Sequence, residues 1–235
     1  MHNTTGAGAG RPFAWAGVFL FFVSLAYFLL AYGVRFAAPA NGGRALPAVP
    51  WNVGLFTAFA LHHSVFAREP VRRLVARWCP GALERSFYVW VASILFIAVC
   101  AWWQPVPGIA WQGRGAGVWG LLLLQGAGVV LALRSAAVLD VRELAGIRVG
   151  TPAADIVFKT TGPYGWVRHP IYAGWFLLVL AASPMTMTRL TFALVSCVYV
   201  LIAIPLEERT LRAAAPDAYA RYAAQVRWRL VPGVY

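Results

Sequence analysis

The sequence predicts an all-α fold: a polytopic integral membrane helical bundle of five or six transmembrane helices, ending in a helical hairpin with a polar site at its cytoplasmic end. Three observations predict it. Of 235 residues, 60% are hydrophobic and only 12% charged, with a mean hydropathy of +0.66, whereas a soluble domain carries about a quarter charged residues. Apolar runs of spanning length recur along the chain. The arginines gather in alternate connections between those runs.

Taken in order, residues 13–34, 51–67, 87–103 and 118–139 are apolar runs. A helix rises about 1.5 Å per residue, so roughly 20 residues cross the hydrocarbon core. Trp51, Trp102, Trp103, Trp111 and Trp119 fall near run ends, where interfacial aromatics belong. The first run could be a cleaved leader processed at AAPA (37–40), but it exceeds a leader's apolar core of about 7–15 residues and only Arg11 precedes it. It reads as a retained helix.

The fifth apolar region, 171–206, is too long for one ordinary span and carries SPMTMTR near its middle. Pro184 disfavours helix continuation and its small hydroxyl neighbours suit a turn, so two short helices joined by a tight turn are expected. A hairpin returns the chain to the side it left. Arg168-His169 before the region and Glu207-Glu208 after it therefore fall on one membrane face. The tail, 216–228, reads as a short amphipathic helix, with Pro216 at its first position and Asp217 on the positive end of its dipole. Its Tyr219, Tyr222 and Val226 recur on one face, against the membrane or the protein's own core.

Charge sets the orientation. Arg68, Arg72, Arg73, Arg77 and Arg85 lie in one connection, and Arg134, Arg142, Arg148, Lys159 and Arg168 in another. Arg209, Arg212, Arg221, Arg227 and Arg229 lie in the tail, while the opposite connections hold chiefly Arg44, Arg114 and Arg189. The positive-inside rule makes the three basic segments cytoplasmic, giving six crossings with both termini inside, or five if the last hairpin crosses only partly. The net charge of +12 thus belongs to headgroup-facing loops. No basic stripe with exposed aromatics speaks for nucleic acid. Cys79, Cys100 and Cys197 have no metal-ligand spacing and read as reduced thiols.

Several residues could carry chemistry. Adjacent carboxylates at a helix end repel one another unless a cation or water compensates. Alone, Glu207-Glu208 reads as a solvated pair answering Arg209 and Arg212. Folded back beside Arg168-His169, it forms a site with both signs of charge, which suits a zwitterionic ligand such as an amino-acid moiety. Gly126 and Gly128, in LLQGAGVVLAL, lie inside an apolar run without the strand or third glycine of a dinucleotide fingerprint. They read either as close helix packing or as bare backbone open to a flat ligand, with Gln125 facing the interior. His62 and His63 are ionisable groups near the end of a span, a functional-site hypothesis by default; interior hydrogen bonding by one of them is the plainer reading. A haem- or quinone-binding subunit built on His62, His63 and His169 is the rival from a different class.

GPYGWVRHPIYAGW, an apolar hairpin, LEERTL, and then YARYAAQVRWRLVP resemble the isoprenylcysteine carboxyl methyltransferase and phospholipid methyltransferase superfamily. FALHHSVFAREPVRR, CPGALERSFYV and the hairpin are similar to its membrane methanethiol S-methyltransferase branch and NnrU-like relatives. One departure is Asp140-Val141, where that branch leads one to expect an Asn-His pair before ELAGIR.

The resemblance implies an S-adenosylmethionine-dependent membrane methyltransferase. Arg168, His169, Tyr172, Glu207 and Glu208 would hold the cofactor, and Gly126 and Gly128 would line its pocket. His62, His63 and Arg168 would assist a thiol in losing its proton. No metal is implied. The acceptor would be a small thiol such as methanethiol, giving a thioether such as dimethyl sulfide. The alternatives within the superfamily are an isoprenylcysteine carboxylate and a phospholipid amine. The chain then reads as one membrane domain over 1–235 in a bacterial inner membrane. Residues 1–140 supply N-terminal spans, and 141–235 supply the loop, hairpin and tail that bind cofactor.

Overall fold

The computed structural model describes residues 6–40, 45–66, 83–139 and 158–235, together with 71, 74, 75 and 77. The Asp140-Val141 departure, the ELAGIR segment and Cys79 lie outside them. The described residues form seven α-helices and fall into two compact units, one up to Val106 and the other from Pro107 onward.

In the first unit, α1 (Gly6–Leu30) runs into a π-helical turn at Ala31–Arg35, followed by α2 (Ala45–Val65) and α3 (Glu84–Trp102). Helices α1 and α2 both pack on α3. Aromatic rings make the joint: Phe28 and Phe59 meet Phe96 at centroid distances of 5.5 and 5.2 Å, and Phe36 meets Trp103 at 6.2 Å. The last carbonyls of a helix have no partners within it, and here side chains supply them. Arg35 donates to the carbonyls of Cys100 and Ala101, and Trp51 Nε1 to that of Trp102 at 3.0 Å. Asn52, fully buried, exchanges two 2.8 Å bonds with the backbone of Gln104. The Arg35 cation also suits the negative end of the α3 dipole.

The second unit begins with β1 (Ile109–Trp111), which pairs antiparallel with β2 (Met185–Thr186). Between them come α4 (Ala116–Val138), a 3-10 turn at Gly162–Gly165 and α5 (Pro170–Leu180). Helices α6 (Met187–Ala214) and α7 (Pro216–Gln225) follow. Helix α4 packs against α5. A Cβ on Gly128 would stand 2.6 Å from the carbonyl oxygen of Gly174, and one on Gly174 would stand 2.6 Å from that of Gly128. The two backbones approach so closely only because neither residue has a side chain. Gln125 Nε2 adds a 2.9 Å bond to the carbonyl of Leu178.

The hairpin turn falls at SPMTMT as expected. Ser183 Oγ accepts from Gly113 N at 3.0 Å, Arg189 donates to the carbonyl of Pro184 at 2.7 Å, and Thr186 Oγ1 caps α6 through Arg189 N at 3.1 Å. The two arms are not both short. Helix α5 has 11 residues and stops before Pro184, whose ring disfavours helix in the residue before it; at about 1.5 Å per residue it is roughly half as long as a bilayer core is thick. Helix α6 has 28 residues, runs through Pro205 and continues past Glu207-Glu208, because LEERTLRAA is rich in strong helix formers.

Four of the described helical segments are long and apolar enough to cross a membrane: Pro12–Arg35, Glu84–Trp102, Ala116–Val138 and Met187–Ala214. Their outward surfaces carry large apolar side chains such as Phe19, Trp119 and Leu123, all at least 70% exposed, as lipid-facing helices do.

Candidate functional site

The approach to α5 is a built turn. Gly162 has φ +61°, a left-handed conformation that favours glycine, and a Cβ on Gly165 would run into the carbonyl oxygen of Thr160. His169 is the N-cap residue of α5 and Pro170 its first helical residue. The tail docks beside this entry: Arg168 N donates to the carbonyl of Trp228 at 2.8 Å, and His169 N to that of Arg229 at 2.9 Å. Residues 226–229 thus lie outside any helix. The amphipathic helix expected over 216–228 ends at Gln225, and beyond it the carbonyls of Trp228 and Arg229 accept from the amides of residues 168–169.

The hairpin and tail converge on Glu208, whose side chain is 2% exposed. Its Oε1 accepts from Arg168 Nε at 2.8 Å and lies 3.4 Å from His169 Nε2. Its Oε2 accepts from Arg229 Nε at 3.0 Å and Nη2 at 2.8 Å. Arg168 Nη1 donates onward to the carbonyls of Val226 and Arg227, each at 2.8 Å. Arg229 Nη1 reaches the Tyr235 hydroxyl at 3.1 Å, and the backbone oxygen of Tyr235 accepts from the amides of Arg229, Leu230 and Val231. A buried carboxylate with one partner removed is costly; this one has both oxygens in charge-assisted bonds.

Glu207 is placed differently. Its side chain is 46% exposed, and its Oε2 accepts from the Tyr172 hydroxyl at 2.9 Å with His169 Nδ1 at 3.8 Å. The His169 and Tyr172 rings stack in parallel, 7° from coplanar and 5.5 Å apart. Burial lowers the pKa of His169 below its ordinary 6.5 against the pull of the two glutamates, so the imidazole is neutral at pH 7. Burial also pushes the phenols of Tyr164, Tyr219 and Tyr222 up to about 12, which keeps all three protonated.

Helix α7 buries Tyr219 and Tyr222, and the chain just after it Val226, against Phe158 and Leu211. Of the two alternatives for its apolar face, the protein's own core is the one observed. Phe158 stacks on Tyr222 at 5.3 Å, and the Tyr222 hydroxyl donates to the carbonyl of Tyr164 at 3.2 Å.

The structure thus brings together Arg168, His169, Tyr172, Glu207 and Glu208, as the hairpin argument requires. Gly128 has α5 pressed against its bare backbone, the close-packing alternative, whereas Gly126 faces open space. His62 and His63 belong to the first unit, where both meet Tyr88: His63 Nδ1 lies 2.9 Å from its hydroxyl, and the His62 ring stacks on it at 5.7 Å. Sequence reasoning counted Arg229 only as a tail charge. The available signal was its place between Trp228 and Leu230, an apolar setting in which an arginine needs a counter-charge. Among the described residues no His, Cys, Asp or Glu cluster has the makings of a metal site.

Comparison with known proteins gives this cluster a context. Residues 123–213 match the model of the isoprenylcysteine carboxyl methyltransferase family. Methanethiol S-methyltransferase 2 of Bradyrhizobium diazoefficiens is 32% identical over 214 residues, covering 88% of this chain and 81% of its own. Methanethiol S-methyltransferase of Mycobacterium tuberculosis is 36% identical over 190 residues, 76% of each chain, and that of Crocosphaera subtropica 35% over 182 residues, 74% of this chain and 71% of its own. No solved structure matches the chain. The segment matched by the family runs from within α4 through both hairpin arms and includes Arg168, His169, Glu207 and Glu208, while Arg229 lies beyond its end. The chain belongs to the isoprenylcysteine carboxyl methyltransferase family and is an integral membrane methyltransferase.

Proposed function

We propose that the protein transfers a methyl group from S-adenosylmethionine to methanethiol, giving dimethyl sulfide. The observation that carries this reading is the convergence of Arg168, His169, Tyr172, Glu207 and Glu208 at the start of α5, in a chain whose relatives bear the name methanethiol S-methyltransferase. The donor set fits the cofactor's zwitterionic end. Glu207 offers a half-exposed carboxylate for an ammonium or for ribose hydroxyls, and Arg168 Nη2 is the nitrogen of its guanidinium outside the internal bonds described above. Gly126 offers open backbone on α4.

S-adenosylmethionine supplies a carbon already activated for displacement by its sulfonium. The residues of the chain then have chiefly to orient donor and acceptor, an effect that reaches several kcal/mol. Tyr172 fixes the Glu207 carboxylate, and the neutral His169 adds no competing cation. A thiol acceptor must also lose its proton, and the Arg168 cation would favour the thiolate. The protein sits in a bacterial inner membrane with five or six crossings and its basic connections on the cytoplasmic side, where cofactor is supplied. A hydrophobic, volatile thiol reaches it through the lipid.

Incubation of the purified protein with methyl-labelled S-adenosylmethionine and methanethiol tests the reading, with labelled dimethyl sulfide measured in the headspace. Parallel reactions contain an isoprenylcysteine or phosphatidylethanolamine. Labelled dimethyl sulfide is the expected product; label only in a lipid or prenylcysteine would transfer the activity to that acceptor.

A further inference from the structure

We infer that Glu208 and Arg229 are positioning residues: with Arg168 they form a buried internal ion cluster that straps residues 226–235 across the start of α5 and leaves Glu207 as the carboxylate turned to the cofactor. The inference rests on the cofactor site proposed above.

Neighbouring residues on a helix diverge by about 100°, so Glu207 and Glu208 cannot share one environment. The exposures of 46% and 2% express that divergence. Both oxygens of Glu208 are engaged, Oε1 by Arg168 and Oε2 twice by Arg229. A ligand ammonium approaching Glu208 would have to displace charge-assisted bonds from a site closed to solvent. Each arginine is in turn tied to the tail. Arg168 Nη1 holds the carbonyls of Val226 and Arg227, the amides of Arg168 and His169 hold those of Trp228 and Arg229, and Arg229 Nη1 holds the Tyr235 hydroxyl. Glu207 accepts only through Oε2 among the described residues, which leaves Oε1 available.

The cluster therefore divides the work of the adjacent glutamates. Glu208 is the counter-ion that seats the strap, and through Arg168 and His169 the strap sets where Glu207 and Tyr172 stand. Arg229 acts at one remove from any ligand.

The test uses the full chain in lipid nanodiscs, with S-adenosylmethionine affinity measured by calorimetry and amide exchange followed in peptides covering 164–170 and 226–235. Glu207→Gln should weaken binding by about tenfold or more, the value of one charge-assisted bond, with exchange in both peptides as in the wild type. Arg229→Ala and Glu208→Gln should speed exchange in both peptides and weaken binding in step, with Arg229→Lys intermediate. Should those variants not fold, Tyr235→Phe removes one bond of the strap and should still speed exchange in 226–235; unchanged exchange there would overturn the strap. Lost binding in Glu208→Gln with wild-type exchange, or wild-type binding in Glu207→Gln, would overturn the division of roles. If the wild type itself binds no S-adenosylmethionine, the functional reading fails, while the exchange comparison still decides whether Arg229 and Glu208 hold the tail.

Discussion

Arg168 Nε and Glu208 Oε1 are 2.8 Å apart, although 40 residues and a complete helical hairpin separate them in the chain. Both side chains are more than nine-tenths buried. Removing one partner of a buried ion pair leaves the other uncompensated, at a cost of roughly 3–5 kcal/mol. Glu208→Leu should therefore lower thermal stability by that order, because two guanidiniums lose their shared acceptor. Arg168→Leu should do less damage, since Arg229 still neutralises Glu208. Equal losses in thermal unfolding would show that Arg229 does not share the charge.

The glycines of α4 should separate by substitution. A Cβ on Gly128 would come within 2.7 Å of the Leu178 amide nitrogen as well as meeting the Gly174 carbonyl, while Gly126 has nothing within 4 Å. Gly128→Ala should cost about 1–3 kcal/mol through overpacking, and Gly126→Ala should leave the melting temperature unchanged. A drop in S-adenosylmethionine affinity for Gly126→Ala at unchanged stability would support its place along the pocket.

Tyr172→Phe deletes the hydroxyl that donates to Glu207 Oε2 at 2.9 Å. A hydrogen bond to a charged group is worth about 1.5–3 kcal/mol when buried. Glu207 is half exposed, so a loss of about 1 kcal/mol, roughly fivefold, is the reasonable expectation. The variant should raise KM for S-adenosylmethionine by that factor and leave kcat close to the wild type. A fall in kcat with unchanged KM would place Tyr172 at the reacting atoms.

The state of His169 gives a pH prediction. Burial holds its folded pKa below the ordinary value of 6.5, which an unfolded chain recovers. Between the two values the unfolded state binds more protons, so stability rises with pH across that window and falls as pH drops below about 6.5. Melting temperatures from pH 5 to 7.5 should show this slope in the wild type and a shallower one in His169→Gln. A wild type that gains stability on acidification would mean that Glu207 and Glu208 protonate the imidazole instead.

Much of this is legible in the sequence itself. Pro184 between small hydroxyl residues required a turn, and a turn required Arg168-His169 and Glu207-Glu208 to meet. The lengths of the arms were harder to read. Hydropathy falls away at Leu206, but the helix does not, because Glu, Arg, Leu and Ala continue it at little cost. Arg229 is less legible for a different reason: its partner is set by backbone bonds between residues 168–169 and 228–229, a contact no local period encodes. The choice between packing and pocket at Gly126 and Gly128 needed the position of α5. Four described segments meet the apolar length of a span, and the shortness of α5 reflects where Pro184 stops it.

The bonds around Tyr235 bear on how variants of the tail should be read. Its hydroxyl and its backbone oxygen accept four hydrogen bonds from Arg229, Leu230 and Val231. Any change at Tyr235 therefore reaches Glu208 through Arg229, so weak activity of a variant altered there would report on the seating of the tail.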